Sequence, residues 1–155
     1  MIVITGASDG LGSELANIYK ESGKRVISLS RSSSTDGIEH IQTDLTDDNS
    51  INSAVQTLNQ DTDKLEALIN CAGVLSIEKI DKLSAGEVDK VLDTNIRALL
   101  LLTSGLMEKI KKDGADVVNV ASSVGLKAYP DQAAYGVSKW AMRGFSANLQ
   151  LELKD

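Results

Sequence analysis

A glycine-rich turn set between two elements of opposite periodicity constrains this chain more than any other feature. Met1 to Thr5 is a short, β-branched apolar run, which reads as a buried strand. Thr5-Gly6-Ala7-Ser8-Asp9-Gly10-Leu11-Gly12 follows it directly. Leu11, Leu15, Ile18 and Tyr19 then recur at helical spacing until Gly23, which closes that helix. Glycines permit unusual backbone angles and close approach to a ligand. A helix N-terminus offers unpaired N–H groups and a partial positive charge, so a strand–turn–helix of this kind can hold a phosphate. The spacing is G-x-x-x-G-x-G, not the G-x-G-x-x-G of the standard dinucleotide fingerprint. The bland alternative is a plain glycine turn. Placement between a clear strand and a clear helix favours a nucleotide site.

The rest of the chain repeats the strand–helix alternation. Strands are expected at Val26–Leu29, Ile38–Gln42, Leu65–Asn70 and Val117–Val120, with a polar loop at Ser32–Gly37. Asp44-Leu45-Thr46-Asp47 caps a helix from Asn49 to Asn59, and Asp47-Asp48 reads as that helix start rather than a metal site. Ser84 caps a long helix to Lys111, and a last helix runs from Ala134 to Leu153 after a loop at Ser122–Gln132. Such alternation implies a parallel sheet with right-handed crossovers. The expectation is a Rossmann-like, doubly wound α/β fold in three α/β/α layers, with strand order 3-2-1-4-5 and one domain spanning residues 1–155. Ligands of such sheets bind beyond the carboxyl ends, where strand order reverses. The loops at Gly6, Cys71 and Ser122 would converge there.

Composition removes several function classes. Of 155 residues 42% are hydrophobic and one is proline, which supports a real core. The net charge of −6 disfavours nonspecific binding to nucleic acid or to an anionic membrane. The longest apolar run, Ala98 to Leu102, is far too short to span a bilayer. It is apolar around much of a helix, implying burial on more than one side. Met1-Ile2-Val3-Ile4 carries no basic region ahead of a long apolar run, so no signal peptide is expected. Cys71 is the only cysteine and His40 the only histidine. No intramolecular disulfide can form, a zinc site of the usual Cys/His type is excluded, and a reducing, cytoplasmic location fits.

Two further features carry chemistry. Strand two ends in Ser30-Arg31, where a protein selective for NAD usually places an acid against the ribose 2′-hydroxyl. A guanidinium suits a 2′-phosphate instead, so NADP(H) is preferred over NAD(H). The alternative is that Arg31 is a solvated loop residue. Tyr135 and Lys139 stand four apart in Tyr135-Gly136-Val137-Ser138-Lys139, which puts both on one helical face. A free phenol titrates near ~10. A neighbouring ammonium favours the phenolate, which makes such a pair useful for proton transfer. A lone Y-x-x-x-K also arises by chance in many helices.

Taken together these motifs resemble the short-chain dehydrogenase/reductase family. Thr5 to Gly12 is similar to the family's T-G-x-x-x-G-x-G loop, implying that Gly6, Ser8, Asp9, Gly10, Leu11 and Gly12 bind cofactor. Asp44-Leu45 resembles its adenine-side aspartate segment, and Asn70-Cys71-Ala72-Gly73 its N-N-A-G stretch with Cys71 in place of the second Asn. Asn95 resembles the helix asparagine that holds a proton-relay water. Ser122, 13 residues before Tyr135 and three before Gly125, matches the serine that bonds the carbonyl oxygen, with Ser123 as its rival. The resemblance implies catalytic roles for Asn95, Ser122, Tyr135 and Lys139. It also implies cofactor contacts at Arg31, Asn70, Ala72, Gly73, Tyr135 and Lys139. It implies reversible hydride transfer between a nicotinamide and a small carbonyl or secondary alcohol. Trp140 is expected to pack beside the catalytic helix or its partner. The family commonly pairs through this helix and the preceding long one, implying a homodimer or homotetramer. Family members continue past that helix with further strands and a P-G segment. This sequence ends at Asp155, so those strands are expected to be missing and strand five to be an edge. A nucleotide-binding or interaction module without turnover is the alternative function.

Overall fold

The computed structural model describes residues 1–32 and 36–154; the middle of the expected loop at Ser32–Gly37 lies outside the described residues. Five strands, β1 (Ile2–Thr5), β2 (Val26–Ser30), β3 (Glu39–Gln42), β4 (Ala67–Asn70) and β5 (Asp116–Asn119), form one parallel sheet in the order β3-β2-β1-β4-β5. This is the Rossmann-like arrangement and strand order read from the sequence. In register, Thr5 lies beside both Leu29 and Asn70, and Asn70 beside Asn119. The carboxyl ends of the three central strands are thus level, and the loops leaving β1 and β4 start side by side.

The central strands are buried on both faces, as near-continuous apolar runs require. On one face Ile2, Ile4, Ala67 and Ile69 pack with Ala16 of α1 (Gly10–Glu21). On the other, Val3, Ile27, Leu29 and Leu68 pack with Ile51, Ala54 and Leu58 of α2 (Asp48–Gln60). Ala98 and Leu102 of α4 (Ala98–Gly105) and Ile110 of α5 (Met107–Asp113) complete that second layer. The cap residues act as their chemistry dictates. Asp9, Asp47 and Ser84 each accept a backbone N–H in the first turn of α1, α2 and α3 (Ala85–Leu92).

The long helix expected from Ser84 to Lys111 is broken into segments. A π-turn at Asp93–Arg97 joins α3 to α4, and Leu106 separates α4 from α5. The π-turn has no signature in hydrophobic spacing. The run Ala98–Leu102 is also less enclosed than expected: Ala98, Leu99 and Leu102 are buried, but Leu100 is 40% exposed. The last helix, α6 (Ala133–Glu152), lies beside α3 and the π-turn. Trp140, expected to pack against a helix, is 51% exposed, with the Arg143 guanidinium 5.7 Å from its ring. β5 is an edge strand, and its Val118 is 45% exposed.

Candidate active site

A cleft of about 630 Å³ opens over the carboxyl ends of β1, β2 and β4. Its floor is the glycine turn, and two contacts explain that turn's composition. Gly6 has φ +70, and a Cβ there would lie 2.8 Å from Cα of Ala72. A Cβ on Gly12 would lie 2.3 Å from the Gly6 carbonyl oxygen. These glycines let the turn fold onto α1 and let the β4 loop press against it. Gly10, with φ +54, has no atom within 4 Å of its Cβ position, so that part of the turn faces open space. Thr5 ties the two loops together: its hydroxyl accepts N–H bonds from Cys71 and Ala72, both at 3.0 Å. Thr5 opens the glycine motif in the sequence, and its tie to Cys71 and Ala72 depends on β1 and β4 lying side by side.

Most residues expected to hold a cofactor line this cleft. Gly6, Ser8, Asp9, Gly10, Leu11 and Gly12 form one wall, Arg31, Asp44 and Leu45 one end, and Ala72, Gly73, Tyr135 and Lys139 the other. The Asp44 carboxylate accepts from the Thr46 N–H at 2.9 Å and its hydroxyl at 2.8 Å. Those bonds, with a smaller pull from Arg31, hold its carboxyl below the usual range. Both bonds fall on Asp44 Oδ1, and the end of β2 presents Ser30-Arg31-Ser32 without a carboxylate.

Two expected residues, Asn70 and Asn95, are buried away from the cleft, and Ser122 stands partly exposed next to Ala121 of its lining. Asn70 is 3% exposed; its amide donates to the Asn119 side chain at 2.9 Å. Asn95 is 1% exposed and faces inward from the π-turn. Its oxygen accepts from the Val74 N–H at 2.7 Å, and its amide donates to the Val74 carbonyl at 3.0 Å and to the Ser138 hydroxyl at 3.0 Å. All its polar hydrogens are used on protein atoms. The Ser122 hydroxyl caps a 3₁₀ turn at Ser123–Gly125, accepting from Val124 N–H at 3.3 Å, which leaves its own proton free to donate.

Tyr135 is half-buried on the first turn of α6. Lys139 is 4% exposed; its Nζ lies 5.7 Å from the Tyr135 ring centroid and donates to the Val120 carbonyl at 2.8 Å. No carboxylate accepts from it among the described residues. Burial lowers the Lys139 value, opposed weakly by the nearby Cys71. Burial likewise raises the Cys71 thiol. A buried cation without a counter-ion, one turn from a phenol and beside a glycine-lined cleft, can orient and polarise a hydroxyl-bearing or anionic ligand. The cleft also fits a dinucleotide: open backbone at the helix N-terminus, a guanidinium at the β2 end and a polar pair at the far end.

The family model for short chain dehydrogenases matches residues 1–155. The chain belongs to the short-chain dehydrogenase family. It is 30% identical to cyclopentanol dehydrogenase of Comamonas testosteroni, over 99% of this chain and 66% of that protein. It is 28% identical to an uncharacterized oxidoreductase of Staphylococcus saprophyticus, over 98% of this chain and 66% of that one. The chain thus spans about 66% of the length of these relatives. Among solved structures, 4-hydroxyisoleucine dehydrogenase complexed with NADH and succinate superposes with a TM-score of 0.92 at 29% identity, covering 99% of this chain and 73% of that one. The closed form of serine dehydrogenase complexed with NADP+ superposes with a TM-score of 0.87 at 25% identity, covering 99% of this chain and 66% of that one.

Proposed function

We propose that this protein is an NADP(H)-preferring oxidoreductase that interconverts a small carbonyl compound and its secondary alcohol, with Tyr135 as acid/base. The observation that carries the reading is the Tyr135–Lys139 pair at one end of the glycine-lined cleft, with the lysine buried and bonded to a carbonyl and, among the described residues, to no carboxylate. Relatives named as dehydrogenases, and fold neighbours with bound NADH or NADP+, support a nicotinamide cofactor. The missing acid at the β2 end and the presence of Arg31 support NADP(H) over NAD(H).

The nicotinamide cofactor supplies the hydride. The protein's own residues do the rest. Backbone N–H groups at the start of α1 hold the pyrophosphate. Arg31 takes the 2′-phosphate, and Leu45, Ala72 and Gly73 border the cofactor. The free Ser122 proton is donated to the substrate oxygen, whose negative charge grows as the carbon is reduced. Tyr135 Oη gives that oxygen its proton and recovers it in the reverse direction. Lys139 keeps positive charge next to the phenol and offers its remaining N–H groups to the nicotinamide ribose. Asn95 fixes the Val74 backbone at this end of the cleft. Leu100 and Trp140, exposed on α4 and α6, support self-association into a homodimer or homotetramer. Sedimentation at micromolar concentration showing only monomer would contradict this. A cytoplasmic setting accords with the single, unpaired Cys71.

The test is to mix the protein with NADPH and a panel of aldehydes, ketones and quinones while following nicotinamide absorbance. Consumption that disappears in Tyr135→Phe is the expected outcome. NADPH binding without consumption across the panel would favour a binding module instead.

A further inference from the structure

Helix α6 is held against the rest of the molecule by two serines of like chemistry at different distances from the Tyr135–Lys139 pair. Ser138 is fully buried, and its hydroxyl donates to the Tyr135 carbonyl at 2.7 Å while accepting from the Asn95 amide at 3.0 Å. Ser146, about two turns further along α6, donates to the Met142 carbonyl at 2.8 Å and accepts from the Asn119 amide at 2.9 Å. Each serine bonds back onto its own helix and receives one amide proton from a neighbouring element. The first strut runs from the π-turn to the residue expected to move the proton. The second runs from β5 to the middle of the helix.

We propose that Ser138 is a positioning residue for the reaction: through the Asn95–Ser138–Tyr135 chain it fixes where the phenol and the Lys139 ammonium sit over the cleft. This rests on the role of Tyr135 proposed above. Three observations on the structure carry it. Ser138 lies between Tyr135 and Lys139 at i+3 and i−1, on the inward side of the helix. Its hydroxyl donates to the Tyr135 carbonyl and accepts from Asn95, the residue that fixes the cleft-lining Val74. Asn95 has its second amide proton on Val74, whose backbone lines the same cleft. Removing the Ser138 oxygen takes away the second bond to the Tyr135 carbonyl, which keeps its helical partner, and leaves a buried Asn95 N–H unpaired, so the first turn of α6 and the π-turn can shift against each other. Displacements of that kind near reacting groups cost on the order of 10²-fold in rate.

Ser146 supplies the control, because its bonds are alike and its position is remote. The experiment compares Ser138→Ala, Ser138→Thr and Ser146→Ala for NADPH affinity, kcat and KM on any carbonyl from the panel that is reduced, and melting temperature. It also follows the ring signals of Tyr135 by NMR on protein carrying labelled tyrosine, assigned with Tyr135→Phe. The expected result is that both alanine variants lower the melting temperature, but only Ser138→Ala lowers kcat, by about 10²-fold, with NADPH affinity retained. Only Ser138→Ala moves the Tyr135 ring signals, and Ser138→Thr, which keeps the oxygen, restores both. Unmoved Tyr135 signals in Ser138→Ala, or equal effects of the two alanine variants on kcat, would overturn the proposal. If Tyr135→Phe leaves turnover intact, the acid/base reading fails instead, and the ring signals still decide whether Ser138 positions the phenol.

Discussion

The two ends of this sheet solve opposite problems with the same kinds of residue. At the amino end, charges are spent on one another. The Arg25 guanidinium bonds both Glu39 carboxylate oxygens at 2.7 Å and reaches Asp61 at 2.8 Å and Asp63 at 2.9 Å. The Met1 ammonium donates to the Lys64 carbonyl at 2.6 Å. At the carboxyl end the polar groups are left available: glycine backbone facing open space, Arg31 at the rim, Lys139 buried and donating to a backbone carbonyl rather than, among the described residues, to a carboxylate. One end closes the structure, and the other stores unsatisfied polarity that a ligand can use. Substitutions at the two ends should therefore separate stability from function.

The largest separation is expected at Tyr135. Tyr135→Phe should lower turnover by ~10²–10⁴-fold while leaving the melting temperature and NADPH affinity near wild type. A variant that still turns over would place the acid/base elsewhere. Next is Gly12→Ala, whose added methyl would sit 2.3 Å from the Gly6 carbonyl oxygen. Overpacking of this kind costs about 1–3 kcal/mol. It should also open the cofactor turn, so denaturant midpoint and NADPH affinity fall together; unchanged affinity would detach the turn from the cofactor. Arg31→Asp comes third. It should shift the ratio of NADPH to NADH affinity by roughly ten- to a hundredfold, the loss of one charge-assisted contact, measured by nicotinamide fluorescence titration with no change in stability.

The smallest effect is expected at the amino end. Arg25→Gln should cost about 1 kcal/mol or less, because the cluster is largely exposed, and should leave NADPH affinity untouched. Its pH dependence has a definite sign. Glu39 and Asp61 are held below the ordinary carboxylate range, Glu39 chiefly by Arg25 and Asp61 chiefly by the Asp63 backbone N–H with help from Arg25. A carboxyl depressed in the folded state stabilises it above the unfolded value and loses that contribution as pH falls through the folded one. The stability gap between wild type and Arg25→Gln should thus be full near neutrality and narrow in acid. A gap that widens in acid would mean the cluster is not what Arg25 stabilises.

Much of this contrast was legible in the sequence, and its limits are physical. Strand runs such as Ile2–Thr5 and Ala67–Asn70 are largely apolar on both faces, so their burial follows from composition, and their parallel pairing follows from the strand–helix alternation. The turn at Gly6–Gly12 and the pair Tyr135–Lys139 are local in sequence, so spacing reveals them. The Arg25 cluster is invisible because its partners come from two distant places, β3 and the connection after α2, and only the sheet register brings Glu39 beside that end. The π-turn was missed because one extra residue per turn leaves hydrophobic periodicity almost unchanged, yet it is what turns Asn95 inward. Asn70 was expected at the cofactor, but the fold commits its amide to Asn119; Ser122 caps a turn as an acceptor and keeps its proton free. The polar struts through Thr5, Ser138 and Ser146 depend on hydroxyl partners distant in sequence, which no periodicity encodes.

The central claim is that the carboxyl end holds a nicotinamide dinucleotide and the amino end does not. Titrating the isotopically labelled protein with NADPH and following backbone amide signals by NMR tests it most directly. Shifts concentrated at Gly6–Gly12, Arg31, Asp44–Leu45 and Ala72–Gly73, with Arg25, Glu39, Asp61 and Asp63 unmoved, are the predicted result. Shifts centred on the Arg25 cluster, or none at saturating NADPH, would contradict it.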